Sequence, residues 1–331
     1  MFIEPELTTG SNAYRANTSA LPRRIEAKRN GYVERTVITS DGVRLAVRDY
    51  GSDGAPHHTV VLLHGLCLTQ SSWARQVGHL VGRWGNSVRI ITYDHRGHGD
   101  STGADMHTYR IDRLAADLAD VLTALRVTGT LTLAGHSMGG MTALAYLGRA
   151  TADRPVEPQG LVLVATAAGR LAERGLGRLL ATRATAMLCN LVHHMPRRPT
   201  DQVFSGLVRP VWRGLTKHFG TATNGATAVA ASVAQTISLT TAVGFLPGLK
   251  EYDQYHALAS ISANTIVISG GADMTTPPDH ARDLAAAIPG ATHLHRPDAG
   301  HMLVEEHPQC VSDAIDRVLG MRTFSAYGAA S

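Results

Sequence analysis

Apolar and polar residues follow a regular pattern along the chain from residue 32 onward. The runs YVERTVIT (32–39) and VRLAVRDY (43–50) alternate around the turn residues Asp41-Gly42, which predicts a β-hairpin. TVVLL (59–63) is continuously apolar, as expected for a strand that is buried on both faces of a parallel sheet. Further strands are predicted at VRIITY (88–93), LTLAG (131–135), GLVLVAT (160–166), NTIVISG (264–270) and THLHRP (292–297).

Helical patterns lie between these strands. Residues 108–126 place apolar side chains at helical spacing, and further helices are predicted at 141–148, 278–288 and 304–319. This alternation of strand and helix predicts an α/β fold with a mostly parallel sheet, helices on both faces and right-handed crossovers.

One long segment, about residues 167–257, interrupts the alternation. It holds apolar helical stretches and several prolines but no clear strand, which predicts a helical cap inserted after the sixth predicted strand. The predicted division is an N-terminal arm that lies on the surface or is disordered (1–30), an α/β core (31–166 and 258–322), the helical cap (167–257) and a C-terminal tail (323–331).

The composition is that of a globular protein. Of the 331 residues 44% are hydrophobic and 18% are charged, which excludes a disordered chain. The net charge of +4 comes without a Lys/Arg block or an aromatic-basic stripe, so no nucleic-acid partner is expected. The 3 cysteines are widely spaced and the N-terminal residues do not resemble a signal peptide, so we expect free thiols and a cytoplasmic location.

Two features of the cap bear on membranes. The stretch 218–249 carries no formal charge, but its many Thr, Ser, Asn and Gln residues make it a poor spanning helix, so stable membrane insertion is not expected. Between Arg170 and Lys217 there are 9 basic and 2 acidic residues, a net charge of 9 − 2 = +7. This surface is either a solvated face or a region that attracts an anionic substrate or makes peripheral contact with lipid.

The strand LTLAG runs into His136-Ser137-Met138-Gly139-Gly140, and a predicted helix follows. A G-x-S-x-G sequence between a strand and a helix is typical of a nucleophile elbow. The small residues are needed because the serine occupies a tight, strained turn, which lifts its hydroxyl clear of the sheet. The pattern predicts that Ser137 is a catalytic nucleophile.

An elbow requires an acid and a histidine after later strands, in the order Ser, Asp, His. Strand NTIVISG runs into Asp273, and the loop after THLHRP contains His301. Other acids fit less well, because Asp279 and Asp283 belong to the following helix and Asp298 lies immediately before the histidine loop. The sequence therefore predicts a triad in which His301 is the general base and Asp273 orients it.

The remaining site residues are predicted from their places beside the elbow. The backbone N–H groups of Leu66 and Met138 are the expected oxyanion hole, with Cys67 a weaker candidate donor and His64 expected to fix the loop by hydrogen bonding. Met187, Leu191 and Met195 have helical spacing and belong either to the cap core or to the wall of an acyl pocket. The candidate pocket consists of Cys67, Met187, Leu191, Met195, Met274 and Met302.

Several motifs together resemble the α/β-hydrolase superfamily: LLHG (62–65), YDHRGHGDS (93–101), GHSMGG (135–140), GGAD (270–273) and AGH (299–301). The resemblance covers about residues 32–320 apart from the cap and implies an eight-stranded core with a cap over the active site. GHSMGG with DHRGHGDS is similar to monoacylglycerol-lipase-like and general carboxylesterase members. The chain departs from many lipases at Leu66-Cys67-Leu68, where they have a glycine-richer loop. Epoxide hydrolases and haloalkane dehalogenases carry Asp at the nucleophile position, so Ser137 argues against both.

These features predict a serine hydrolase that cleaves carboxylic esters of small, largely apolar acyl or lipid-like substrates through an acyl-enzyme. No cofactor or metal is expected, since His301 to His307 does not have H-E-x-x-H spacing. The same triad also suits a carbon–carbon bond hydrolase or a cofactor-free perhydrolase. A ligand-binding receptor on the hydrolase fold is the alternative of a different class. The sequence does not indicate an oligomeric state.

Overall fold

The computed structural model describes residues 28–29, 31–51, 58–194 and 239–327. Its nine strands form one sheet in the order β1-β2-β3-β5-β4-β6-β7-β8-β9. The strands are β1 (Lys28–Arg29), β2 (Tyr32–Ile38), β3 (Arg44–Tyr50), β4 (His58–Leu63), β5 (Val88–Tyr93), β6 (Thr130–His136), β7 (Pro158–Val164), β8 (Asn264–Gly270) and β9 (Thr292–Arg296).

The described helices alternate with these strands from β4 onward. They are α1 (Ala74–Trp84), α2 (Ile111–Ala124), α3 (Met138–Leu147), α4 (Arg183–His194), α5 (Leu239–Glu251), α6 (Tyr255–Leu258), α7 (Pro278–Ala287), α8 (Leu303–Glu306) and α9 (Pro308–Tyr327). The predicted α/β class and the predicted strands are confirmed.

The sheet is antiparallel at one edge and parallel elsewhere. β2 and β3 form the predicted hairpin, and β3 pairs antiparallel with β5. From β5 through β4, β6, β7 and β8 to β9 every pairing is parallel. Parallel strands direct their carboxyl ends to one edge of the sheet, and that edge is where ligands bind in open α/β folds.

The structure adds an edge strand to the eight that were expected. β1 lies inside the predicted N-terminal arm (1–30) and pairs with β2 through two residues. A strand of two residues is too short to show a hydrophobic period in the sequence.

The C-terminal end also differs from prediction. The single helix expected at 304–319 is two helices, because Pro308 lacks an N–H and cannot continue a helix, although it suits the first turn of α9. α9 continues to Tyr327, so residues 323–327 of the predicted tail are helical.

Both faces of the central parallel strands are buried. On β4, Val61 and Leu63 pack into the cluster that contains α2 and α3, and Val60 and Leu62 pack into the cluster with α1 and α9. All four side chains are 0% exposed. The continuous apolar runs in the sequence follow from this two-sided burial.

The predicted cap leaves and rejoins the core at one place. Gly169 pairs with Asp253 in an isolated antiparallel bridge, and the Gln254 N–H donates to the Ala168 carbonyl at 2.6 Å. Between these points the described residues form two 3-10 helices (Leu171–Glu173 and Gly175–Ala181), α4 and α5. Residues 195–238 lie outside the described ranges, so the boundaries 167–257 stay a prediction. Within the described ranges no helix is long and apolar enough to cross a membrane. Most of the stretch 218–249 lies outside them.

Candidate active site

Ser137 joins β6 to α3 in a backbone conformation that is rare for a residue with a side chain. Its φ is 52° and its ψ is −118°. The Ser137 N–H donates to the Val164 carbonyl at 2.9 Å, and the Ser137 carbonyl accepts from Gly140 N–H at 2.9 Å and Thr166 Oγ1 at 2.7 Å. Positive φ costs free energy for a residue with a Cβ, so these hydrogen bonds hold the strained turn in place.

The elbow requires glycine where neighbouring backbone comes close. A Cβ on Gly139 would lie 2.1 Å from the Leu63 carbonyl oxygen, and a Cβ on Gly135 would lie 2.4 Å from the Gly140 nitrogen. Both distances are far inside van der Waals contact with backbone atoms that cannot move aside. The geometry therefore explains the glycines of the G-x-S-x-G sequence.

The structure brings Ser137, Asp273 and His301 together. Asp273 follows β8 and His301 lies between β9 and α8, so both reach the same sheet edge as the elbow. His301 Nδ1 lies 2.8 Å from Asp273 Oδ2, and His301 Nε2 lies 3.0 Å from Ser137 Oγ. Because Nδ1 faces a carboxylate, it carries the proton and leaves Nε2 free to accept the serine proton.

Asp273 is held in place by the turn that follows it. The backbone N–H groups of Thr275 and Thr276 donate to Oδ1 at 2.8 and 2.9 Å, and Thr276 Oγ1 donates to Oδ2 at 2.8 Å. Burial raises the pKa of Asp273, but the charge and hydrogen bond of His301, together with two hydrogen bonds from Thr276, outweigh it and lower the pKa. Thr276 was not predicted, although an Asp followed two and three residues later by Thr is a common side-chain-to-backbone turn pattern.

The loop after β4 approaches the elbow. A Cβ on Gly65 would lie 3.2 Å from Ser137 Cβ, so glycine allows this approach. The Cys67 N–H donates to His98 Nε2 at 3.3 Å and is therefore occupied. Among the described residues the N–H groups of Leu66 and Met138 have no acceptor, which leaves these two as the candidate oxyanion donors.

Buried histidines support this loop from below. His64 Nδ1 donates to the Gly65 carbonyl at 2.8 Å, and its Nε2 accepts from the His95 N–H at 2.9 Å. Burial, with only partial compensation from Gly65, lowers the pKa of His64 to about 4, so the ring is neutral. These contacts agree with the predicted structural role of His64. His98 Nε2 accepts from the Cys67 N–H, and it belongs to the segment Asp94–Gly99, which the sequence predicts as a structural turn at the floor of the site.

A family model described as the alpha/beta hydrolase fold matches residues 58–308. This chain belongs to the alpha/beta hydrolase fold family. The match covers the parallel strands β4 to β9 and every residue of the candidate active site named so far. The predicted family resemblance is confirmed.

Relatives of this hydrolase carry different activities in their names. An sn-1-specific diacylglycerol lipase from Mus musculus is 26% identical over 262 residues, which is 78% of this chain and 80% of that protein. A non-heme chloroperoxidase from Kitasatospora aureofaciens is 40% identical over 111 residues, 34% of this chain and only 37% of the relative. The crystal structure of an enol-lactonase from Burkholderia xenovorans LB400 superposes with a TM-score of 0.66 at 25% identity, covering 86% of this chain and 99% of that one.

The candidate pocket residues of the hydrolase lie in different environments. Cys67 is buried and Met302 is partly buried directly after His301, whereas Met187 and Met274 are 69% and 62% exposed. Leu191 lies in α4, and Met195 lies outside the described residues. Burial raises the pKa of the Cys67 thiol to about 12, so this cysteine stays protonated and is a poor nucleophile. The composition of the pocket remains a prediction.

Proposed function

We propose that this hydrolase cleaves carboxylic esters of small, largely apolar acyl or lipid-like compounds, with Ser137 as the nucleophile. The observation that carries the proposal is the continuous hydrogen-bonded chain from Asp273 Oδ2 through His301 to Ser137 Oγ, with distances of 2.8 and 3.0 Å. Nucleophile, base and orienting acid lie within the reach that nucleophilic catalysis requires.

In the proposed reaction Ser137 Oγ attacks the ester carbonyl while His301 Nε2 takes its proton. The carbonyl oxygen becomes an oxyanion and is stabilised by the N–H groups of Leu66 and Met138. His301 then returns the proton to the leaving alcohol and an acyl-enzyme remains. Water, deprotonated by His301, attacks the acyl carbon, the bond to Ser137 Oγ breaks, and His301 returns the proton to Oγ as the acid leaves. Asp273 stabilises the imidazolium at both stages.

The ester class is supported by the relatives taken together. The mouse relative is named a diacylglycerol lipase, and the Burkholderia structure is named an enol-lactonase. Diacylglycerols and lactones share the carboxylic ester bond, although their acyl and alcohol parts differ. Cleavage of a carboxylic ester bond is therefore the chemistry that the two names share, and it supports the same chemistry at Ser137.

The test is a panel of nitrophenyl esters from two to sixteen carbons with the wild type and Ser137→Ala. We expect hydrolysis by the wild type and a loss of about 10⁴–10⁶ in kcat on substitution, as for other triad deletions. A short-chain optimum would indicate an esterase and a long-chain optimum a lipase.

Covalent labelling by a fluorophosphonate provides an independent control. The wild type should be labelled and Ser137→Ala should not; labelling that survives the substitution would refute the assignment of the nucleophile. Labelling without hydrolysis of any ester would favour the carbon–carbon hydrolase. Neither labelling nor hydrolysis in the folded protein would favour the receptor.

A further inference from the structure

One buried imidazole beside the nucleophile is not used in the proposed reaction. His136 is the last residue of β6 and is 1% exposed. Its Nε2 lies 2.8 Å from the backbone carbonyl oxygen of His301, and the two rings lie 5.1 Å apart between centroids. Since a carbonyl can only accept, His136 Nε2 carries the proton of this hydrogen bond.

The opposite edge of the ring faces the oxyanion loop. A Cβ on Gly65 would lie 2.9 Å from His136 Nδ1, so only a glycine lets the loop lie against the ring. His136 Nδ1 has no hydrogen-bond partner among the described residues. The His136 ring thus contacts the loop that carries His301 and the loop that carries Leu66. His136 also directly precedes Ser137 in the chain.

The surroundings keep this ring neutral. Burial, followed by the neighbouring charge of His301, lowers the pKa of His136 to about 3. A cation here would repel His301 at the moment when His301 accepts the proton of Ser137. A neutral His136 N–H can orient the loop that carries His301 without this repulsion.

We infer that His136 is a positioning residue, which holds the backbone of His301 so that Nε2 stays within reach of Ser137 Oγ. The inference deepens the proposed function and rests on it. The same loop is also held before His301, where the Gly300 N–H donates to Glu306 Oε2 at 2.7 Å and the Ala299 carbonyl accepts from the Ala272 N–H at 2.9 Å. The carbonyl of His301 itself is held by His136, across 165 positions of sequence.

The experiment compares His136→Gln with His136→Asn. The longer Gln amide N–H can reach the place of Nε2, whereas the Asn amide reaches only the place of Nδ1. We expect Asn to lower kcat by about 10–100-fold with KM within roughly twofold, because a small misplacement of a reacting group can cost 10²-fold. Gln should restore most of the activity.

Each variant is also measured for thermal unfolding and for its rate of labelling by a fluorophosphonate. His79→Gln is the matched control, since His79 Nε2 makes a hydrogen bond of the same length, 2.8 Å, to Asp316 between α1 and α9. It should leave kcat unchanged. Equal kcat values for Gln and Asn, whether both high or both low, would overturn the inference.

Failure of the proposed function gives a different result. If the wild type hydrolyses no ester, the labelling rate still reports how well His301 activates Ser137. The order wild type, then Gln, then Asn is expected in that rate as well. Equal labelling rates in the two variants would reject the positioning role independently of the substrate class.

Discussion

At His301, burial and a neighbouring carboxylate act on the imidazole in opposite directions. Burial lowers its pKa, while the charge and the hydrogen bond of Asp273 raise it more strongly. The pKa of His301 is therefore raised above its ordinary value of 6.5. Because the general base must be neutral to accept the Ser137 proton, activity should be lost as the pH falls through this raised pKa.

The expected pH–rate profile has one acid limb. kcat/KM should rise with pH and reach half of its plateau above pH 6.5, the ordinary pKa of histidine. The measurement is ester hydrolysis by the wild type between about pH 5 and 9. A midpoint well below 6.5 would contradict the pairing of His301 with Asp273.

Asp273→Asn should lower kcat by about 10⁴, because the wrong tautomer of His301 is then held. The acid limb of its pH–rate profile should move to lower pH, since burial lowers the pKa of His301 and the charge of Asp273 no longer raises it. Asp298→Asn is the control, as Asp298 is exposed and lies in the same loop as His301. Nearly full activity in Asp273→Asn would show that another acid orients the base.

At the scale of elements, the elbow depends on close approach between α3 and β4. Gly139→Ala should lower the free energy of unfolding by about 1–3 kcal/mol, because its Cβ would overlap the Leu63 carbonyl. Gly82→Ala on α1 is the control, where a Cβ meets no atom within 4 Å. That change should stabilise by about 0.5–1 kcal/mol, since alanine is the better helix former. Urea unfolding of both variants distinguishes steric overlap from a general effect of replacing glycine.

The elements that the sequence predicts best are those with a strong hydrophobic period. β5 and β8 begin and end at the predicted residues. α1 was not predicted, although Val77 and Leu80 have helical spacing, because Gly78 and Gly82 weaken its helical pattern. The proximity of Ser137, Asp273 and His301 could be predicted, since each of these residues follows a recognisable strand. The hydrogen bond from His136 to the His301 carbonyl could not be predicted, because it depends on how the end of β6 and the loop after β9 approach each other.

At the scale of the whole molecule, a buried ion-pair network links distant parts of the core. Arg96 is 0% exposed and pairs with Asp117 of α2 at 2.6 Å and with Asp41 of the hairpin turn at 2.9 Å. Burial tends to raise the pKa of Asp41, but the hydrogen bonds of Arg96 and Thr39 and the charges of Arg96 and Arg113 outweigh it and lower the pKa to about 2. This contribution to stability is present at neutral pH and is lost as the pH falls from about 4 toward 2.

Arg96→Met should therefore lower the free energy of unfolding by about 3–5 kcal/mol, since it leaves the carboxylate of Asp117 buried without its main partner. Arg110→Met is the comparison, because Arg110 pairs with Asp112 and Glu251 at the surface and should contribute less than about 1 kcal/mol. Chemical denaturation at neutral pH measures both. Equal losses in the two variants would mean that burial does not set the strength of the Arg96 network.

The bridge between Gly169 and Asp253 has a consequence for how this chain can diversify. Because the inserted segment departs and returns within one hydrogen-bonded pair, its length is not set by the spacing of the strands. Loop closure depends only weakly on length, so a longer or shorter segment could be grafted between these two positions at small energetic cost. The strands and the residues around Ser137 could then keep their positions while the segment between Gly169 and Asp253 changed in length.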